Sequence, residues 1–219
     1  SAIDFQGLTF SRDGSNIYYT ARDKKNPQGA LFRVPTLGGL SEKILTDICC
    51  PITFSPDGQQ FAFMRTDSQS KLTSMIIASA IGEPKEKILL TRPANAGFNG
   101  FGASWSPDGT KIAVGVKEEQ TGKNIVLLID VKTGKEEKFG EKPWNRVRRV
   151  TWLPDGSGLL VNVIEKEFWQ QRQLWLLDYP GGQAHKITND LNRYGQESIA
   201  VSNDGTKILA VQAQTISNI

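Results

Sequence analysis

Apolar residues in this chain fall into short runs separated by turns, and no segment sustains helical periodicity with capping residues. One phrase recurs five times: Phe10-Ser11-Arg12-Asp13-Gly14, Phe54-Ser55-Pro56-Asp57-Gly58, Trp105-Ser106-Pro107-Asp108-Gly109, Trp152-Leu153-Pro154-Asp155-Gly156 and Val201-Ser202-Asn203-Asp204-Gly205. An apolar or aromatic residue closes one strand. Asp-Gly then reverses the chain, because glycine tolerates positive φ and aspartate bonds back to the turn. Proline, in three of the five copies, presets φ at the start of the turn. A second strand follows at residues 16–19, 60–64, 111–116, 158–163 and 207–211, in runs that are β-branched, aromatic or alanine-rich. Third strands are expected at 30–34, 74–78, 125–129 and 174–177, each ending in a glycine-bearing turn. Short fourth strands follow near 43–46, 87–91, 137–139 and 186–188.

The turn aspartates return at intervals of 44 to 51 residues, the period of one four-stranded propeller blade. The pattern predicts an all-β chain, a β-propeller of four-stranded antiparallel blades. The blades span 1–48, 49–93, 94–141, 142–189 and, in part, 190–219, giving four complete blades and half of a fifth. The half blade leaves sheet edges open, and pairing between copies through those edges is expected.

The Ser-Pro-Asp-Gly phrase, flanked by hydrophobic strands and followed by a Gly-Gly turn, resembles the TolB-like propeller family along the whole chain. That resemblance implies a six-bladed parent. The wording of the second copy, Phe54 through Arg65, is similar to propellers attached to bacterial serine/threonine kinases and winged-helix regulators. It implies a sensory or docking domain of a larger signalling protein, in a periplasmic or extracytoplasmic position. TolB-like blades also resemble the propellers that precede the catalytic domain of prolyl-oligopeptidase-type hydrolases. The alternatives are therefore a substrate-gating propeller of such an enzyme, or a TolB-type envelope scaffold.

In an up-and-down blade the Asp-Gly and Gly-containing turns share one side of the disc. The connections at 21–28, 91–102, 141–148, 165–172 and 189–197 share the other. These vary in length and chemistry, and loops on a rigid scaffold commonly carry function. Trp144, Arg146 and Arg148 form the first candidate. Strand alternation puts Arg146 and Arg148 on one face and Arg149 on the other, and their planar forked donors suit a carboxylate or phosphate. The competing reading pairs them with Glu165 or Glu167. The second candidate is Phe98, Asn99 and Phe101 in a glycine-rich loop, which either stacks on a partner or covers the core. The third is Phe168-Trp169, an interface hot spot or inter-blade packing. Arg193 and Tyr194 complete the face. The expected partner is a protein or peptide, or a small anionic ligand.

Composition narrows this only slightly. A formal charge of +3 argues for no nucleic acid, and no apolar run approaches the roughly 18 residues of a membrane helix, so direct membrane insertion is not expected. The N-terminus lacks the basic start and apolar stretch of a signal peptide, so the expected chain begins downstream of one. Cys49 and Cys50 are adjacent, with Cα atoms about 3.8 Å apart. Disulfide geometry disfavours bridging them, and two small, partly buried thiols are expected.

No Gly-x-Ser-x-Gly nucleophile elbow is present. The nearest approach, Gly102-Ala103-Ser104-Trp105-Ser106, lacks the final glycine, and the single histidine, His185, reads as a surface residue. Every Asp-Gly pair is contiguous, unlike the sialidase phrase. There is no Cys/His cluster, EF-hand loop or glycine-rich phosphate loop, so neither metal nor cofactor is expected, and the chain reads as non-enzymatic.

Overall fold

A computed structural model of the chain describes residues 3–48, 50–99, 102–165, 172–190 and 193–213, except the side chains of 193, 196–198 and 213. Among these residues eighteen strands build five antiparallel sheets. The first holds β1 (Asp4–Phe10), β2 (Asn16–Arg22), β3 (Ala30–Pro35) and β4 (Glu42–Thr46). The second holds β5 (Thr53–Phe54), β6 (Gln60–Asp67), β7 (Leu72–Ser79) and β8 (Glu86–Pro93), and the third β9 (Ser104–Trp105), β10 (Lys111–Lys117), β11 (Asn124–Asp130) and β12 (Glu136–Trp144). The fourth holds β13 (Arg146–Trp152), β14 (Gly158–Ile164), β15 (Arg172–Asp178) and β16 (Ala184–Lys186), and the fifth β17 (Arg193–Val201) and β18 (Ile208–Ala213). Strands consecutive in the chain are neighbours in each sheet. Their first strands gather round one axis: β5 meets β9, β9 meets β13, β13 meets β17, and β17 reaches β1. This is an all-β propeller of four complete blades and half a fifth, as the repeat predicts.

The repeated phrase closes each inner hairpin through a common set of bonds. In the third turn the backbone N–H of Lys111 donates to Ser106 Oγ at 2.9 Å, while Ser106 Oγ donates to Asp108 Oδ1 at 2.6 Å. The N–H of Thr110 reaches the same carboxylate at 2.9 Å. The second turn repeats this with Ser55, Asp57 and the N–H groups of Gln59 and Gln60. Gly58 and Gly109 take φ of +70° and +77°, the left-handed conformation that makes glycine necessary there. The fourth turn has Leu153 where the others have serine, and Ser157 caps Asp155 instead.

These bonds favour the ionised carboxylates. Asp13 and Asp204 are held down at about 2, chiefly by the hydroxyls of Ser11 and Ser202, and Asp57 and Asp108 are lowered by the same contact. A depressed folded-state pKa adds stability that is complete above the ordinary carboxylate range. That stability is lost as pH falls from there through about 2.

The cores lie between sheets. Tyr18, Leu31, Phe61 and Phe63 fill the space between the first and second blades. Met64, Met75, Val114 and Ile129 fill the next, and Val147, Val150, Val161 and Trp175 belong to the third. β14 is buried along its whole length, as a strand covered on both faces should be. The corresponding strand of the half blade, β18, has less cover among the described residues: Leu209 is 73% exposed. The outward face of the first blade carries a ladder of rings, Phe5 to Tyr19 at 5.6 Å and Tyr19 stacked on Phe32 at 5.2 Å, beside exposed Leu8 and Phe10.

One predicted connection is corrected. Residues 141–148 are almost entirely strand, because β12 continues to Trp144 and β13 begins at Arg146. A bulge opposite Asn124 and Val126 lets β12 run past its expected end and pair Trp144 with Asn124.

Ser106→Ala is expected to cost about 1–3 kcal/mol in urea unfolding, because it removes the acceptor of the part-buried N–H of Lys111, whereas Ser157→Ala in the exposed fourth turn should cost clearly less. Equal losses would show that the buried hydroxyl is not what distinguishes these turns. We further propose that the open edge pairs between copies. Light scattering should then show concentration-dependent association that Leu209→Lys weakens, and a strict monomer at high concentration would refute it.

Candidate functional site

The variable face is built where the inner strands begin. β13 starts with Arg146 opposite Ile164, which in turn faces Arg172 on β15. Directly opposed residues of a sheet share a face, so Arg146 and Arg172 flank Ile164 in one row. Pairing then slips between Val147 and Arg149, leaving Arg148 as the extra residue of a bulge. The simple alternation expected from sequence is therefore broken. Val147 and Val150 both enter the core, and Arg149 lies opposite Asn162. The bulge still brings Arg148 beside Arg146. Burial, followed by the charges of Arg146 and Arg172, lowers the Arg148 guanidinium to about 10. Arg172 is the member that sequence reading passed over; it lies across Ile164 from Arg146, a placement set by the register of three strands.

The competing reading pairs these arginines with Glu165 or Glu167, and of the two Glu165 has lysine partners. Glu165 is engaged by Lys186 at 2.6 Å and Lys142 at 3.6 Å. Glu167 lies outside the described residues, as do Phe101, Phe168 and Trp169.

Other candidates have structural work. Trp144 is 2% exposed and sits in the core with Trp152 and Trp175, so it offers no surface to a partner; the β12 bulge turns it inward. Asn99 starts a polar clasp between loops. Its Nδ2 donates to Asn124 Oδ1 at 2.7 Å, Asn124 Nδ2 donates to the carbonyl of Asn145 at 3.0 Å, and Asn145 Nδ2 donates to the carbonyl of Glu165 at 2.9 Å. Phe98 is half-buried, bridges to Val116 and packs on the core. Tyr194 is half-buried, and its hydroxyl donates to Asp190 at 2.6 Å. Arg193 opens β17 opposite Ala213, and its side chain lies outside the described residues.

The groups weighed for catalysis are placed apart. Exposed His185 contacts Asp178 at 2.7 Å on the outer strands of the fourth blade. Ser104 Oγ accepts the N–H of Trp152 at 2.9 Å, a bond between blades. Cys50 is fully buried in the core, and Cys49 lies outside the described residues. Among the described residues no three His, Cys, Asp or Glu side chains gather as a metal site, and no helix is long and apolar enough to cross a membrane.

A cavity of about 630 Å³ runs along the axis. The repeat places a hydroxyl residue there in four blades, one position before the closing residue of each phrase: Thr9, Thr53, Ser104 and Thr151. Three of them tie neighbouring inner strands together. Thr9 Oγ1 donates to the carbonyl of Ile52 at 2.8 Å, Thr53 Oγ1 accepts the N–H of Trp105 at 3.0 Å, and Ser104 takes Trp152 as above.

No family model and no curated protein matches the sequence. Solved structures do match in shape. TolB from Acinetobacter baumannii superposes with a TM-score of 0.74 at 18% identity over 94% of this chain, which spans 49% of that protein. A protein from Agrobacterium tumefaciens assigned as TolB gives 0.72 at 20% identity, over 95% of this chain and 70% of its own. A puromycin hydrolase gives 0.67 at 18% identity, over 96% of this chain and 34% of the enzyme. This chain therefore spans about half the length of the first of these, and its fold is that of the TolB-like β-propellers.

Proposed function

We propose that this chain is a non-catalytic binding propeller, the sensory or docking part of a larger bacterial signalling protein, which receives an acidic protein or peptide segment on its variable face. One observation carries the reading. Arg146, Arg148 and Arg172 converge at the corner of the fourth blade. An acidic group placed beside three guanidiniums gains from the charge of each. Arginine adds forked donors that match a carboxylate in two bonds at once. The separation of His185 from Ser104 supports the non-catalytic part of the proposal, since acyl transfer needs nucleophile and base within reach.

A second reading, the gating propeller of a prolyl-oligopeptidase-type hydrolase, draws support from the shape shared with puromycin hydrolase. A Gly-x-Ser-x-Gly domain in the same open reading frame would favour it over the signalling role.

Calorimetry with a hexaglutamate peptide at low ionic strength tests the arginine face. Binding is expected, and Arg146→Ala combined with Arg148→Ala should weaken it by about tenfold or more. Affinity unchanged by the double substitution would remove this face from the proposal.

A further inference from the structure

The junction of the first and second blades holds a cleft of about 380 Å³ beside the β7–β8 turn, within the range of small-molecule sites. We propose that this cleft binds a small zwitterion, a free α-amino acid with an aliphatic side chain. Its carboxylate is met by Arg33 and its ammonium by Glu42 and Glu83. The cleft is distinct from the arginine corner, and the proposal stands independently of the acidic partner placed there.

One added residue opens the cleft. In the third and fourth blades the last two strands are joined by turns in which the N–H of Asp130 donates to the carbonyl of Lys135 and that of Asp178 to the carbonyl of Gln183, five positions on in each case. Their glycines pack on the outer strand of the preceding blade. A Cβ on Gly134 would lie 2.4 Å from the carbonyl oxygen of Leu89 on β8, and one on Gly182 would lie 3.1 Å from Gly140 Cα on β12. In the second blade the N–H of Ser79 donates to the carbonyl of Lys85, six positions on. The glycine of this longer turn, Gly82, keeps a φ of +71°, yet a Cβ there would meet nothing within 4 Å. Ser79 Oγ fixes the raised turn, donating to the carbonyl of Glu83 at 3.1 Å and accepting the N–H of Lys85 at 2.9 Å.

The wall facing this turn is a row across three strands of the first blade. Tyr18 on β2 lies opposite Arg33 on β3, and Arg33 lies opposite Glu42 on β4, so the three side chains share the face turned to the second blade. Arg33 Nη2 donates to Glu42 Oε2 at 2.6 Å, and the guanidinium is held further by the Tyr18 hydroxyl. The ion pair is open to solvent, at 37% and 61% side-chain exposure, and Glu83 adds a second carboxylate from the turn. Lys43 stands opposite Phe32, whose ring stacks on Tyr19 across the other face of the blade. Phe61, Ile44, Ala80 and Pro84 supply the apolar lining, with Ile44 brought there as the extra residue of a bulge in β4.

These charges set the ligand. A simple anion entering the cleft would face two carboxylates, and a simple cation would face the guanidinium. A zwitterion laid against the Arg33–Glu42 pair in the reverse sense gives each charge an opposite partner, in charge-assisted bonds, and its aliphatic body covers the apolar lining.

Amide NMR titration of the full chain with leucine, N-acetylleucine and leucinamide tests this. Leucine should shift the amides of Ile44, Ala80 and Gly82. N-acetylleucine lacks the ammonium and leucinamide the carboxylate, so each should bind about tenfold more weakly or worse. Arg33→Gln and Glu83→Gln should each weaken leucine binding by a similar factor while the spectrum stays dispersed. Glu83 lies on an exposed turn, so its substitution leaves the fold intact and isolates the charge. Arg146→Ala with Arg148→Ala should leave leucine binding unchanged. The proposal is overturned if leucine leaves these amides unmoved, if either blocked analogue binds as tightly as leucine, or if Glu83→Gln retains full affinity. Loss of leucine binding in the Arg146/Arg148 double variant would assign the amino acid to the other face and overturn the cleft as well.

Discussion

A small sheet with two apolar faces has no stable existence in water until each face meets another sheet. That constraint organises everything else in this chain. β14 is buried end to end, and β10 is buried from Ile112 to Val116, because each lies in the middle of a blade clasped by its neighbours. Burial of this kind is local and repeated: each blade borrows cover from the next, and no single centre holds the molecule together. Cover is thinner on two rows of the described residues. The outward face of the first blade shows Phe5, Leu8 and Phe10 to solvent, and the half blade shows Leu209 and Val211.

Stacking alone leaves the inner strands free to slide, and the hydroxyl series fixes them. Thr9, Thr53 and Ser104 occupy the same step of three successive repeats and bond across to the next blade's backbone. Two of these bonds satisfy a backbone N–H at the inner strand of the next blade, and the third satisfies a carbonyl just before it, groups that would otherwise go without a partner near the axis. The Ser-x-Asp-Gly turns, two residues further on, close the same end of four of the five hairpins. The fold thus rests on two short, repeated polar devices holding large apolar surfaces in register, and the loops beyond them are released to vary.

That division explains the distribution of functional candidates. Residues that looked available because they lay in variable connections divide once the loops are built. Asn99 and Trp144 are consumed by structure, one in the asparagine clasp and one in the core. The bulge at Arg148 puts Val147 and Val150 both in the core, beside exposed Arg146 and half-buried Arg148. Arg149 lies on the other face, opposite Asn162, with its guanidinium at Gly102.

The sequence by itself determined the architecture and its punctuation. Five Asp-Gly phrases at blade spacing specify hairpins, and β-branched and aromatic runs between them specify strands, because turn conformation and strand preference are local properties of a few consecutive residues. Even the polar ties are written in the repeat, since Thr9, Thr53, Ser104 and Thr151 occur at one fixed offset. Tertiary structure alone decided which side chains meet. Arg172 joins Arg146 through a row of three strands, Trp144 turns inward after a bulge, and Arg149 lies over Gly102 from a different blade. Each of these depends on register slips and inter-blade distances, quantities set by the packing of whole sheets, which no short window of residues encodes.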